Sequence, residues 1–381
     1  MIDFLKSLIK PRYKTLNIIE IYSQHLLANF SLLQEQRPNS EIIPVLKANA
    51  YGHGLKQICK ILKHSPATTV AVDSFPEAQI ANKYFGKKIL IMAEMPWQAY
   101  GYLDFNHTEF VIYNSNTLKF LADKFAKRIH IHLFVNTGMN REGIKNLPKF
   151  LEENKEYLNR VKVVGVTSHL VGSETDSKLN AQQEETFKTA IEVLESNGYR
   201  DLKTHLGNSG GVFSLKHDYD AYRAGICFYG YNILPKNHPK YGIAKQVKPA
   251  LRIISQVTAI QKIKAGETVS YNEKFTTSEP TTIAIVPFGY FEGLSRKLSN
   301  QAEFKIINDD YNYSARIAGA VCMNIVCLDC KNQKLQLGDA VEIISLNSND
   351  KNSITNLAKQ EETIIYESLA KLATNIRRKI I

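Results

Sequence analysis

No hydrophobic run in this 381-residue chain approaches the roughly 20 apolar residues that a membrane-spanning helix needs. The N-terminal segment MIDFLKSLIKPR carries Asp3, Lys6, Lys10 and Arg12, and its apolar residues form no unbroken centre. It is therefore a poor match to a secretory signal. We expect a soluble, cytoplasmic protein that does not bind membranes.

Cysteine is also scarce. The chain has five cysteines, an odd number, and without a secretory signal this predicts reduced thiols rather than disulfides. Cys322, Cys327 and Cys330 lie close together, which is one pattern seen in zinc sites. No histidine or second C-x-x-C pair lies near them, and the segment alternates like a strand, so we predict no metal site.

Long basic runs are missing as well. The net charge is +11, from 48 basic and 37 acidic residues, but the lysines are scattered and the only short cluster is Arg377-Arg378-Lys379. Because no aromatic residues are interleaved with a basic stripe, nucleic-acid binding is a weak alternative to a solvated basic surface. Hydrophobic residues make up 44% of the chain, which is ordinary for a globular protein.

The first part of the chain alternates apolar runs with helical patterns. Strands are predicted at 42–46, 69–73, 88–93, 109–113, 129–135, 162–168, 203–207 and 220–224, and helices at 55–63, 117–126 and 183–195. Eight strands that alternate with helices predict the α/β class and a parallel (β/α)8 barrel of the TIM type. A doubly wound open sheet is the alternative, but no G-x-G-x-x-G motif follows any strand.

After about residue 240 the helical spacing disappears. Short strands are predicted at 251–262, 267–272, 281–287, 303–308, 313–319, 320–329 and 339–346, with a partly helical tail over 355–377. The predicted domains are therefore a barrel over residues 1–240 and a β-rich C-terminal domain over residues 241–381.

The first predicted strand stops at a lysine. Lys47 follows the apolar run 42–46 and precedes a turn of small and polar residues, NAYGHG. Burial at the end of a strand would lower the pKa of this amine, so that it could be neutral and form a Schiff base with an aldehyde cofactor. The alternative is an ordinary lysine that extends to water.

Further polar residues follow other strands of the predicted barrel, where such barrels place their chemistry. They are Asn136–Arg141, His169, Asn208–Gly211 and Arg223–Ile226. One such residue is usually structural, but with Lys47 these make five positions on one rim and indicate a site. The glycine-flanked N–H groups beside a serine suit a phosphate. His130 and His132, at the start of their strand, are a weaker candidate for a metal site.

Seven motifs resemble those of the alanine racemases, pyridoxal-phosphate enzymes of fold type III, over nearly the whole chain. They are KANAYGHG at 47–54, NTGMNREG at 136–143, NSGG at 208–211, RAGI at 223–226, PFGYFEG at 287–293, VCMN at 321–324 and TIIYE at 363–367. The resemblance implies a homodimer with shared active sites that interconverts L- and D-alanine for peptidoglycan precursors. It also implies that Lys47 and Tyr271 are the two bases, with Tyr271 supplied by the C-terminal domain of the partner subunit.

The same resemblance implies roles for further residues. The cofactor, pyridoxal 5'-phosphate, is bound covalently by Lys47, and its other contacts are Tyr51, His169, Asn208, Ser209, Arg223, Gly225, Ile226 and Tyr366. Arg223 faces the pyridine nitrogen, and His205 supports Arg223 from behind. The substrate contacts are Arg141, Met323 and Tyr290, and no metal is implied.

The chain departs from the family pattern at several positions. Phe134 stands where many members have a lysine that is carbamylated and braces the arginine, so Arg141 needs another brace, such as Asn136 or a bound anion. Ala320, Glu292 and Asn324 change the entrance to the site. These departures leave open a broad-specificity amino-acid racemase and, as a further alternative, a non-catalytic pyridoxal-phosphate-binding protein.

Overall fold

The computed structural model of the chain describes residues 15–175 and 178–381. They divide into two compact units. The first comprises Ile21–Ala250 with Ile380–Ile381, and the second comprises residues 251–379 with the N-terminal segment that ends at Glu20. The limit predicted at residue 240 lies before the short helix Tyr241–Ala244, which belongs to the first unit.

Strands alternate with helices in the first unit and predominate in the second. Within the described residues the strands are β1 (Ile18–Ile21), β2 (Glu41–Pro44), β3 (Thr69–Val72), β4 (Lys88–Ile91), β5 (Thr108–Ile112), β6 (His130–Phe134), β7 (Lys162–Thr167), β8 (Lys203–His205), β9 (Ala221–Ala224), β10 (Leu251–Gln256), β11 (Ala259–Ile263), β12 (Thr268–Val269), β13 (Phe275–Thr276), β14 (Thr281–Val286), β15 (Glu303–Ile307), β16 (Asn312–Ile317), β17 (Val326–Asp329), β18 (Ala340–Ile344) and β19 (Arg377–Ile380).

Most helices of the first unit follow a strand. Across 15–175 and 178–381 the α-helices are Ser23–Gln36, Leu55–Lys63, Phe75–Tyr84, Trp97–Tyr100, Ser115–Phe125, Leu147–Glu153, Lys155–Leu158, Lys178–Ser196, Gly211–Ser214, Tyr241–Ala244, Ile354–Gln360 and Ile365–Ala370, with 3-10 turns at Ala126–Arg128, Tyr271–Glu273 and Arg296–Leu298. None of the helices in these ranges combines the length and apolar composition needed to cross a bilayer.

The first unit is a parallel barrel. Strands β3 to β8 form a continuous six-stranded parallel sheet, and β2 pairs with β9. Backbone hydrogen bonds complete the ring: Leu46 N donates to Ala71 O at 2.7 Å, and Arg223 N donates to Gly207 O at 2.9 Å. The predicted (β/α)8 architecture is confirmed. The barrel forms because its strands are short apolar runs that are buried on both faces.

The second unit carries an antiparallel-rich sheet with the strand order β11-β14-β17-β16-β15-β18-β10-β1-β19, beside the small β12-β13 hairpin. The β-rich character predicted for this region is confirmed, with differences in detail. The predicted strand 251–262 is divided between β10 and β11. The predicted strand 320–329 forms only as β17, because Cys322 N bonds to Ile325 O at 3.0 Å and turns the preceding segment into a loop.

Candidate functional site

A left-handed turn carries the candidate lysine. Strand β2 ends at Pro44, and the residues from Ala48 to Tyr51 all have φ between 51° and 54°. The Asn49 side chain stabilises this turn, since its Oδ1 accepts a hydrogen bond from Leu55 N at 2.8 Å. Non-glycine residues in this conformation each cost about 1–2 kcal/mol. Such strain is typical of functional sites.

Lys47 opens this turn, and its amine is accessible. Its side chain is 41% exposed, and Nζ lies 2.9 Å from Asp73 Oδ2, just beyond the end of β3. The expected desolvated amine is therefore not observed. The reason is that β2 ends before Lys47, so the residue stands beyond the strand and next to the carboxylate of Asp73.

Arg223 is buried in the barrel, where every contact is with an acceptor. Its guanidinium donates to Thr167 Oγ1 at 2.8 Å, to His205 Nδ1 at 2.7 Å and to the Ser168 carbonyl at 2.6 Å. Burial lowers the pKa of Arg223 to about 10, so the side chain remains a cation at neutral pH. A buried cation held by neutral acceptors is a rigid hydrogen-bond donor at the centre of the site.

His169 stands at the end of β7, half-buried. Burial, followed by the positive charges of Arg223 and Arg141, lowers the pKa of His169 to about 3. Its imidazole is therefore neutral at physiological pH. A neutral ring is suited to contact with an aromatic ligand.

The segments after β8 and β9 form a small cradle. Ser209 Oγ accepts hydrogen bonds from Gly225 N at 2.9 Å and from Cys227 N at 3.3 Å. A Cβ atom on Gly225 would lie 2.5 Å from the hydroxyl of Tyr51, so the close approach of that phenol requires glycine. Buried Ile226 follows in the same segment. Hydroxyl and backbone N–H groups gathered in this way fit a phosphate.

Asn208 shapes the first half of the cradle. Its Oδ1 accepts a hydrogen bond from Gly211 N at 3.1 Å, which closes the NSGG turn at the start of the helix Gly211–Ser214. Asn208 therefore orders the backbone beside Ser209.

Arg141 is paired with a residue that the sequence analysis did not single out. Its Nε and Nη2 each lie 2.5 Å from a carboxylate oxygen of Glu142. Asn136, which was the proposed brace, bonds instead to Asn140 and to the backbone of Gly138 and so orders the loop. The brace of Arg141 within this structure is thus a carboxylate, Glu142.

The second unit holds the other predicted site residues, several of them on its surface. Tyr271 is 66% exposed, Met323 57% and Tyr290 41%. Tyr290 N donates to Cys322 O at 3.0 Å, which brings Tyr290 next to the Met323 loop. Ser270, beside Tyr271, bonds to the Ala320 carbonyl at 3.0 Å. Tyr366 lies half-buried in the helix Ile365–Ala370.

Both units match models of one family. The alanine racemase N-terminal domain matches residues 21–233, and the alanine racemase C-terminal domain matches residues 250–380. The chain belongs to the alanine racemase family. The prediction that it is an isomerase of this family is confirmed.

Relatives and solved structures agree with that assignment. The chain is 31% identical to the alanine racemase of Borreliella burgdorferi, with 95% of this chain and 96% of the relative covered, and 30% identical to that of Leptospira interrogans, with 95% of each covered. The alanine racemase of Clostridium difficile shares the fold at a TM-score of 0.87 and 24% identity, with 97% of each chain covered. A Bartonella henselae alanine racemase with covalently bound pyridoxal phosphate matches at 0.83 and 26%, with 97% of this chain and all of that one covered.

Two residues that depart from the family pattern, Glu292 and Asn324, are bonded to each other. Glu292 is buried, its Oε1 accepts a hydrogen bond from the Asn324 amide at 3.1 Å, and its Oε2 accepts one from Gly289 N at 2.7 Å. A carboxylate at position 324 would face Glu292 with like charge. The uncharged amide of Asn324 avoids this repulsion and donates to Glu292 instead.

His132, which was weighed with His130 as a metal ligand, has protein partners on its ring. Both ring nitrogens of His132 are already engaged, one with Glu109 Oε2 at 3.0 Å and one with His205 Nε2 at 2.9 Å. In the described part of the chain, no group of three or more His, Cys, Asp or Glu side chains is placed to hold a metal ion. Sequence reasoning noticed His132 by its spacing but missed Glu109, Asp73 and Glu142, because ordinary acidic residues carry no local signature.

Proposed function

We propose that this chain interconverts L- and D-alanine with pyridoxal 5'-phosphate bound to Lys47, and so supplies D-alanine for peptidoglycan. The observation that carries the proposal is the arrangement at one end of the barrel. Lys47 stands on a strained turn, Ser209 and Gly225 form a cradle, and Arg223, two residues before Gly225, is a buried cation.

The residues of the barrel fit the cofactor. Tyr51, Ser209, Gly225 and Ile226 would hold its phosphate, since hydroxyl and backbone N–H groups converge there. Other groups of the barrel complete the contacts: Asn208 orders the cradle, and His169 presents a neutral ring. A role for Tyr366 is implied by the family resemblance alone. Bound pyridoxal phosphate supplies an electron sink for the carbanion that remains when the α-proton leaves.

Arg223 would donate a hydrogen bond to the pyridine nitrogen. A guanidinium does not give up its proton at neutral pH, so it leaves that nitrogen unprotonated. Burial and the neutral partner His205 hold the donor in one orientation. With its pyridine nitrogen unprotonated, the cofactor would be a weaker electron sink, which disfavours side reactions such as transamination.

Racemisation needs one proton-transfer group on each face of the α-carbon. The amine of Lys47 serves one face, and the phenol of Tyr271 of the partner subunit serves the other. Arg141, backed by Glu142, would bind the substrate carboxylate beside the partner's Met323 and Tyr290.

The exposure of Tyr271 supports a shared site in a homodimer. With Tyr290, Phe291, Met323 and Ile325 it belongs to a set of large side chains, each 41% to 66% exposed, on three loops of the second unit. Backbone bonds from Tyr290 N to Cys322 O and from Phe291 N to Met323 O hold two of these loops together. Such an apolar patch is typical of a protein interface.

Substrate breadth depends on the altered entrance. Ala320, where the resembling family commonly has an arginine, is small and buried, and Asn324, where it commonly has an aspartate, bonds to Glu292. An entrance with fewer charges favours, as a second candidate, a racemase that accepts longer side chains. Racemisation rates across a panel of L-amino acids distinguish the two, because an alanine-specific enzyme is active on alanine alone.

The cytoplasmic location expected from the sequence stays a prediction.

Replacement of Lys47 tests the proposal. The purified wild-type chain, incubated with pyridoxal phosphate, should show the visible absorbance of a lysine-bound cofactor and should be labelled by borohydride at Lys47. Lys47→Ala should lose the absorbance, the labelling and the racemisation of alanine. Lys203→Ala is the matched control, because Lys203 is also an ion-paired lysine of the barrel, 2.7 Å from Glu41. A Lys47→Ala protein with an unchanged absorbance band would reject the lysine assignment.

A further inference from the structure

A line of buried hydrogen bonds crosses the barrel from Arg223 to its opposite end. Arg223 Nη1 lies 2.7 Å from His205 Nδ1, and His205 Nε2 lies 2.9 Å from His132 Nδ1. His132 Nε2 then lies 3.0 Å from Glu109 Oε2. The other oxygen of Glu109 pairs with Lys88 Nζ at 2.8 Å, near the start of β4. Both histidines are at most 1% exposed.

The two ends of this line are the Arg223 guanidinium and the Glu109 carboxylate, and together they determine which ring nitrogen of each histidine carries the hydrogen. A guanidinium can only donate, so His205 Nδ1 must accept and its Nε2 must carry the hydrogen. His205 Nε2–H then donates to His132 Nδ1, and His132 Nε2–H donates to the carboxylate of Glu109. Both rings are therefore neutral Nε2–H tautomers. A proton added to His132 Nδ1 would face the hydrogen on His205.

The surrounding barrel leaves room for this line. A Cβ atom on Gly165 would lie 2.1 Å from His132 Nδ1, so the glycine in β7 admits the ring. The pairing of β6 with β7 shifts register between Ile131 and His132, which turns the ring inward. Burial comes first among the causes that lower the pKa of both histidines, which agrees with neutral rings.

We propose that Glu109 and His132 are positioning residues for Arg223, and that the Glu109 carboxylate imposes through the two histidines the tautomer of His205 that the arginine requires. Without an acceptor at position 109, His132 can carry its hydrogen on Nδ1. His205 would then have to carry its own on Nδ1, where it meets the Arg223 donor. The arginine would lose its partner. The expected effect on catalysis rests on the proposed function, whereas the expected tautomers do not depend on it.

Histidine tautomers in the full-length chain test the inference directly. Long-range ¹H–¹⁵N spectra of ¹⁵N-histidine-labelled protein should show both rings as neutral Nε2–H forms at pH 7. The two rings can be assigned by their mutual nuclear Overhauser contact, since their centroids are 4.9 Å apart. Glu109→Leu, which removes the acceptor, should give His132 and His205 a mixture of tautomers. In the loaded enzyme it should lower kcat for alanine about tenfold, roughly the effect of losing 1.4 kcal/mol of transition-state stabilisation.

Two further variants separate this role from simple packing. Glu109→Gln retains an accepting oxygen and should keep both tautomers and most of the rate. Glu41→Leu removes another carboxylate of the same barrel, which pairs with Lys203 and Thr68, and it should leave the tautomers unchanged. If Glu109→Leu fails to fold, Glu109→Asp withdraws the carboxylate and should give a smaller change of the same kind. Wild-type tautomers in a folded Glu109→Leu or Glu109→Asp protein would overturn the inference, whatever their activity.

Discussion

Arg141 shows how a neighbouring side chain can hold an arginine of the candidate site. Phe134 cannot be carbamylated, and the guanidinium pairs instead with Glu142, the next residue in the chain. The Arg141 side chain is half-exposed, so solvent screens the ion pair and its contribution to holding the arginine is modest. The arginine is nevertheless held without any modification of a lysine.

Removal of this pair should weaken substrate use without loss of the fold. We expect Glu142→Gln to lower kcat/KM for alanine up to about fivefold, since an exposed ion pair contributes up to about 1 kcal/mol. Steady-state kinetics in both directions provide the measurement. Glu153→Gln is the control, because it removes the exposed Lys149–Glu153 pair of the helix Leu147–Glu153. Equal kinetics for Glu142→Gln and the wild type would show that Arg141 needs no carboxylate partner.

At the scale of elements, helices and barrel strands were the features best predicted from sequence. The helix Leu55–Lys63 was predicted with the observed bounds, because its buried residues Leu55, Ile58 and Leu62 recur at helical spacing. Strands β1 and β19 were not predicted. They are short and carry mixed polarity, so only pairing within the sheet of the second unit makes them strands.

The irregular pairing of β6 with β7 depends on a glycine. We expect Gly165→Ala to lower the free energy of unfolding by about 1–3 kcal/mol, the usual effect of overpacking. The added Cβ would lie 2.1 Å from His132 Nδ1 and 2.7 Å from the Lys203 carbonyl, so both side chain and backbone must move. Urea unfolding monitored by circular dichroism gives the measurement.

Gly242→Ala is the matched control for that experiment. Nothing lies within 4 Å of a Cβ at Gly242, which is in the helix Tyr241–Ala244, so alanine there should be neutral or slightly stabilising. If Gly165→Ala were as stable as Gly242→Ala, the barrel would have room that the contacts around His132 do not indicate.

At the scale of the whole molecule, buried histidines make stability depend on pH. The pKa values of His132, His205 and His169 are all lowered, first by burial, whereas the unfolded chain takes up protons near pH 6.5. The unfolded state therefore binds more protons below that pH. The stabilisation that comes from keeping these three histidines neutral is complete above pH 6.5 and is lost as the pH falls.

We expect the free energy of unfolding to be level near pH 7.5 and to fall below pH 6.5, by up to about 1.4 kcal/mol per pH unit for each histidine. A second loss should begin below pH 4.5. Burial alone would raise the pKa of Glu109, but the hydrogen bond from His132 and the charge of Lys88 lower it to about 2. Urea titrations at fixed protein concentration between pH 4 and 8 provide the test. A level profile from pH 7.5 to 5 would contradict buried, neutral histidines.

Shared active sites should appear when inactive subunits are mixed. Lys47→Ala and Tyr271→Phe homodimers should each racemise alanine very slowly. Co-refolded mixtures should recover about a quarter of the wild-type activity per subunit, because half of the randomly paired dimers are mixed and each has one intact site. Lys47→Ala mixed with the Lys47→Ala,Tyr271→Phe double variant is the control and should recover nothing. No recovery in the first mixture would mean that Lys47 and Tyr271 act within one subunit or not together.

The sequence by itself determined the family and the barrel and predicted the position of a site, because apolar periodicity and strand-end motifs are local. Lys47 and Ser209 follow strands and Arg223 lies near the end of one, and such ends in a parallel barrel meet on one rim. Only the tertiary structure decided which groups surround them. Asp73, Glu142 and Glu109 lie beside the site residues or behind them through contacts that no local pattern records. The same packing makes Lys47 an exposed, ion-paired amine and makes His132 a buried link to Arg223, because burial and charge pairing depend on side chains brought together from distant strands.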